Sequence, residues 1–251
     1  MGKAKELMNK KQEEDKLEHP CFPQPNDTEV KVWRYMDTSK FIDIILSKNL
    51  FFSRLDLLGD AYEGSIPKRN YKIRELEFKK LNMYEQVPSM TEGNKLINNI
   101  FFVNCWYCDN HESEAMWKLY CPDNKGIAIQ TTYKKLVDSV SYDDQLFIGL
   151  IKYIDYETEW FPAENIFYPV MHKRKAFQYE KEIRLVKFDS KCYGKPISGI
   201  YCKWDITNVV ENVYVNPYAQ SWYYKIIKDI LEKYNHKIKI EWSSIKGIPY
   251  Y

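Results

Sequence analysis

Apolar and polar residues along this chain fall into short alternating or continuous runs separated by polar turns. Val30-Lys31-Val32-Trp33-Arg34-Tyr35 predicts a first strand, and Leu50-Phe51-Phe52-Ser53 a second. Between them, Asp37-Thr38-Ser39 can cap a helix whose Phe41, Ile44 and Ile45 form one apolar stripe. A charged stretch with two helices, about 70–86 and 90–99, reads as an insertion covering about 65–99. Strands come next at 100–105 and 126–131, with a helix over 112–121 between them. Further strands are predicted at 149–155, 183–188, 198–204, 210–215 and 237–242. An amphipathic helix over 219–234 places Trp222, Ile226, Ile227, Ile230 and Tyr234 on its apolar side. Strands outnumber helices and do not alternate strictly with them, so the pattern predicts an α+β class with a mixed, mostly antiparallel sheet flanked by helices.

Residues 1–18 alternate lysine and glutamate with few apolar positions, and Pro20, Pro23 and Pro25 stop any helix from continuing past them. The domain organisation expected is a charged tail and proline linker over 1–28, then a single domain over 29–251. At 251 residues, with 45% apolar and 29% charged side chains, the chain is long enough for a substantial core. Aromatic side chains make up 16% of it, suited either to a large-residue core or to the walls of a pocket. A net charge of +2 does not by itself imply a nucleic-acid or membrane partner. Neither a leader-like apolar run nor a window of membrane-spanning length is found, which implies a cytoplasmic location with reduced thiols.

The common catalytic and nucleotide motifs are missing: no phosphate loop, dinucleotide fingerprint, H-E-x-x-H or nucleophile elbow. The four histidines lack ligand spacing, so no metal site is expected. Cys105-Trp106-Tyr107-Cys108 has the C-x-x-C spacing of a redox pair, but without a second ligand pair it better suits the end of a buried strand.

Four patches remain. Arg34, inside an apolar strand, can clamp a phosphate or carboxylate or pair with a neighbouring acid. Asp60 and Glu63 can cap the following helix. Glu112 and Ser113 stand at a helix N-terminus where Asp109 or Asn110 can cap and free amides can meet an anion, while Met116 and Trp117 read as core. The fourth is Lys173-Arg174-Lys175-Ala176-Phe177-Gln178-Tyr179-Glu180-Lys181-Glu182-Ile183-Arg184. As a strand, Glu180, Glu182 and Arg184 alternate onto one face. Two carboxylates and a guanidinium together are stable under cover only when paired with each other or with a ligand.

In their order, these patches resemble a bacterial and phage-associated domain-of-unknown-function family, DUF 2971, over roughly residues 30–245. Gly-Asp-Ala-Tyr-Glu stands where that family often has Asn-Asp-Pro-Phe-Glu. The order also resembles the DarT-like ADP-ribosyltransferases, which implies an ADP-ribosyltransferase-like split sheet and NAD as substrate. On that resemblance Arg34 would hold the NAD diphosphate or ribose, Glu182 would be the catalytic glutamate and Glu180 would activate the acceptor. Ser113 or Thr131 would support the ribose. Tyr35, Trp106 or Phe177 would stack on a ring, and Lys173 and Arg174 would grip the diphosphate or an acceptor, with Arg184 beside Glu182. The resemblance further implies a protein or nucleic-acid acceptor and a toxin or phage-defence setting with an antitoxin or other partner protein. A nucleotide sensor without chemistry, and a macromolecule-binding module using Lys173–Lys175, are the rival readings.

Overall fold

A computed structural model describes residues 19–143, 145–162, 165–234, 236–247 and 249. The expected charged tail over 1–18 lies outside the described residues. In chain order the elements are β1 (Lys31–Asp37), α1 (Thr38–Ser47), β2 (Asn49–Arg54), α2 (Lys68–Lys80), α3 (Val87–Ile97), β3 (Phe101–Cys108), α4 (Glu114–Tyr120), β4 (Gly126–Thr132), α5 (Tyr133–Val140), β5 (Leu146–Leu150) and β6 (Lys152–Ile154). They continue with β7 (His172–Arg174), β8 (Glu182–Phe188), β9 (Gly199–Lys203), α6 (Ile206–Val209), β10 (Asn212–Val215), α7 (Ser221–Lys233) and β11 (Lys239–Trp242). The β-structure is mixed and mostly antiparallel, flanked by helices, with β6–β7 and β10–β11 as parallel pairs.

These elements form two compact units. The first takes the chain up to Pro25, Phe52–Asn104 and Asp143–Ile200; the second takes Asn26–Phe51, Cys105–Tyr142 and Tyr201–Tyr251. In the second unit β4 lies between β1 and β10, antiparallel to both, and all seven of its residues are buried. That double cover explains why Gly126-Ile127-Ala128-Ile129 reads as a continuous apolar run and not as an alternation. Trp33, Tyr35, Tyr107, Met116, Trp117 and Ala128 pack into one core there. Asp37 caps α1 as predicted, its carboxylate accepting from the Lys40 amide at 2.9 Å.

Helix α7 differs from its predicted face. Of the predicted stripe Ile227 is buried, joined by Tyr223 and Leu231, whereas Trp222, Ile226 and Tyr234 are exposed. Both stripes have helical spacing, and the one shifted by a residue meets the core.

In the first unit, His19, Phe22, Phe147 and Phe167 form an interlocked ring cluster. Gly149 on β5 lets Phe22 approach, since a Cβ there would lie 2.7 Å from the Phe22 Cα. The single strand predicted over 149–155 is two strands. The break at Ile151 lets β5 pair antiparallel with β8 while β6 pairs parallel with β7.

Candidate functional site

The first unit brings the basic cluster and the Glu-x-Glu segment together. Strand β7 sets Lys173 opposite Tyr153 and Arg174 opposite Ile154. A short 3₁₀ stretch, Lys175–Glu180, comes next, and Lys181 closes it in the left-handed region at φ 38°. Glu180 therefore does not alternate with Glu182 on a strand as expected. The left-handed turn reverses the chain between them, so both carboxylates reach the same ammonium.

That ammonium is Lys173 Nζ. It donates to Glu180 Oε2 at 2.5 Å and Glu182 Oε2 at 3.2 Å, and lies 3.3 Å from Glu63 Oε1. Arg184 closes the set from the other side. Its Nε donates to Glu182 Oε1 at 2.6 Å, and Nη1 and Nη2 donate to the two Glu63 oxygens at 2.9 and 3.2 Å. Nη1 also donates to the Val170 carbonyl at 2.7 Å. The Glu182 amide donates to the Tyr153 hydroxyl at 2.9 Å. Taken over Glu63, Glu180, Glu182, Lys173 and Arg184, three carboxylates face two cations. The set holds one negative charge more than positive when all are ionised.

The set is closed at one end and open at the other. The Arg184 side chain is 0% exposed and Glu182 3%, whereas Lys173 and Glu180 are each 10% exposed. Phe177 lies over this open end, its ring centroid 5.0 Å from Lys173 Nζ and 5.3 Å from the Arg174 guanidinium. Arg174 is itself held by Asp60, with bonds of 2.6 and 3.2 Å, and lies 4.3 Å from the Tyr62 ring. Hydrogen bonding to Asp60 raises the Arg174 pKa, strengthening an already permanent cation. Burial raises the Glu180 pKa above the ordinary carboxylate value; Lys173 opposes that rise, while Glu182 and Glu63 reinforce it.

Asp60 and Glu63 do not cap a helix, contrary to expectation. Helix α2 begins after Pro67 without a side-chain cap, and both acids serve as counter-ions. The signal was arithmetic: Lys173, Arg174 and Arg184 outnumber Glu180 and Glu182, so further carboxylates had to come from elsewhere.

The other expected site residues belong to the second unit, where each has partners of its own. Arg34 donates to the Cys105 carbonyl at 2.9 Å, and burial lowers its pKa. The Tyr35 hydroxyl accepts from the Ser113 amide at 2.8 Å, and its ring packs edge-on against Trp117. Ser113, and not Asp109 or Asn110, caps α4, its hydroxyl accepting from the Met116 amide. Trp106 is buried against Trp204, and Thr131 is buried with its hydroxyl donating to the Val209 carbonyl at 2.6 Å. Glu112 accepts from Trp117 Nε1, Ser243 Oγ and both the amide and hydroxyl of Ser244. Cys105 and Cys108 lie on β3 and form no disulfide. Among the described residues no group of three His, Cys, Asp or Glu is placed to hold a metal ion, and no helix is long and apolar enough to cross a membrane.

No protein-family model and no curated protein matches this chain. Among solved structures, it is similar to the DarT of Thermus sp. 2.9 in complex with ADP-ribosylated single-stranded DNA. That similarity covers 87% of this chain and 95% of the other, at 6% identity and a TM-score of 0.40.

Proposed function

We propose that the Lys173–Glu182 cluster binds the nicotinamide-ribose end of NAD and supports transfer of ADP-ribose to a macromolecular acceptor or to water. The observation that carries this is the charge balance among the described residues: three buried carboxylates interlocked with two cations, Lys173 and Arg184. With all three carboxylates ionised, such a low-dielectric site carries one surplus negative charge and favours a cationic ligand. NAD carries such a cation on its nicotinamide ring. When the C1′–N bond breaks, its electron pair goes to the nicotinamide nitrogen, which becomes neutral, and the positive charge moves to the ribose.

The two glutamates suit different parts of this chemistry. Glu182, tied between Lys173 and Arg184, is the group that would stabilise the cationic ribose. Glu180, nearer the open end and with its pKa raised, would accept the proton released when an acceptor hydroxyl, amine or water bonds to C1′. Arg174 between Tyr62 and Phe177 would meet the diphosphate. The order of motifs shared with DarT-like enzymes supports the same assignment, and with it a nucleic acid or protein as acceptor.

A second reading is a polar scaffold without chemistry. The full burial of Arg184, which ties the Glu63 turn to β8, favours it. The two readings separate in one assay: nicotinamide release from NAD by wild type, Glu180→Gln and Glu182→Gln, with the unfolding midpoint of each. The enzyme reading expects release by wild type and a loss of about 10²-fold or more in Glu180→Gln with the midpoint retained. Absence of release together with no NAD-induced shift in the midpoint overturns it and leaves the scaffold.

A further inference from the structure

A cleft of about 80 Å³, lined more by apolar than by polar surface, opens in the first unit between α2, α3 and the loop before β7. Its walls include Arg74, Asn98 and Asn165, with Ile66, Ile97 and Ile166 supplying hydrocarbon. Room of this size admits a few small groups and no nucleotide.

The polar side is built around Arg74. With the Asn94 amide turned so that its oxygen faces the guanidinium, that oxygen accepts from Nη1 at 2.7 Å and Nη2 at 3.3 Å. An arginine has five N–H donors, so three are left over. Among the described residues no carboxylate forms an ion pair with Arg74. Burial lowers its pKa, and the field of Glu77 on the same helix offsets that only in part. The Asn165 oxygen is used by the Phe167 amide at 2.9 Å, and its amide nitrogen has no hydrogen bond to any described residue. The cleft therefore gathers spare donors around one positive charge. The wall is closely packed beside it: Gly64, at φ +69°, lies against the Asn98 side chain, which a Cβ there would meet at 2.5–2.6 Å.

We propose that this cleft binds a small monocarboxylate, its oxygens on the free fork of Arg74 and the Asn165 amide, its short hydrocarbon body against the isoleucines. A planar carboxylate matches the guanidinium fork. A single positive charge balances a monoanion, and the apolar wall selects hydrocarbon over a second charged oxygen. The site adjoins the ionic cluster through two chain neighbours. Gly64 follows Glu63, and Pro169, also in the wall, precedes Val170, whose carbonyl accepts from Arg184. Occupancy would thus steady the same turn that anchors Arg184.

The test is calorimetric titration of the whole chain with acetate, butyrate and inorganic phosphate, for wild type, Arg74→Gln and Lys72→Gln. Lys72 is an exposed cation on the same helix, outside the cleft wall. The proposal expects saturable binding with butyrate tighter than acetate, about tenfold weaker binding in Arg74→Gln, and unchanged binding in Lys72→Gln. Unfolding midpoints confirm that each variant is folded. Absence of saturable binding, equal loss in both variants, or phosphate binding more tightly than either carboxylate overturns it.

Discussion

Removing Arg184 from the buried cluster should be far more damaging than neutralising Glu63, although each substitution touches the same pair. Arg184 is wholly buried and makes two bonds to Glu63, one to Glu182 and one to the Val170 carbonyl. Arg184→Met leaves three carboxylates around Lys173 alone. Breaking a buried pair in this direction typically costs about 3–5 kcal/mol, because uncompensated charge stays inside. Glu63→Gln works the other way: it keeps an acceptor oxygen for the guanidinium and brings the set to two carboxylates and two cations. The expected cost is about 1 kcal/mol, that of exchanging a charged hydrogen bond for a neutral one. In the double variant, Glu63→Gln should return about 1–2 kcal/mol of the Arg184→Met loss, a coupling of the size contacting residues show. Urea unfolding at neutral pH followed by tryptophan fluorescence measures all four corners of the cycle. If Glu63→Gln destabilises as much as Arg184→Met, the surplus of negative charge is not real, and a cationic ligand loses its support.

Three further expectations concern the same unit. The folded-state pKa of Glu180 is raised, so the folded protein holds a proton that the unfolded chain gives up near 4.5. Stability should then fall as pH rises from 4.5 through the folded value, and Glu180→Gln should gain midpoint over wild type with rising pH; a constant difference refutes this. His172 has the opposite sign: burial lowers its pKa below 6.5, so the unfolded chain takes up the proton first. Acidification below 6.5 should weaken wild type more than His172→Asn, read as a difference in thermal midpoint across that range. Gly149→Ala drives a methyl into the Phe22 backbone and should cost about 1–3 kcal/mol in urea unfolding; a neutral result means the β5–Phe22 packing is looser than described.

Much of the architecture was legible because periodicity reports burial directly. The apolar runs at β1, β3 and β4 and the Asp37 cap of α1 stand where the pattern puts them. What failed depended on partners distant in sequence. Nothing local tells which of two helical stripes on α7 meets a core, and nothing local breaks 149–155 at Ile151. The site shows the same division. Lys173, Arg174, Phe177, Glu180, Glu182 and Arg184 lie close in sequence, so their gathering was readable, but the left-handed Lys181 that aims Glu180 was not. Asp60 and Glu63 sit more than 100 residues from their partners, 114 and 121 positions away. Their acids looked like caps because capping is the commonest local use of such residues.

The interleaving of the two units bears on how the chain reaches its fold. Each is assembled from three separated stretches, and each enters a new stretch only after the other has contributed one. No single cut releases either unit intact, so truncations meant to isolate the Lys173 cluster would strip it of the Asp60–Gly64 turn or carry along parts of the second core. On the ribosome, β1 and β4 emerge well before β10, which flanks β4 opposite β1. Until then the apolar Ile127 and Ile129 edge stands open, in a chain whose pairings are long-range and hence slow to form. Expression yield at raised temperature would therefore depend on how well that waiting strand is shielded during synthesis.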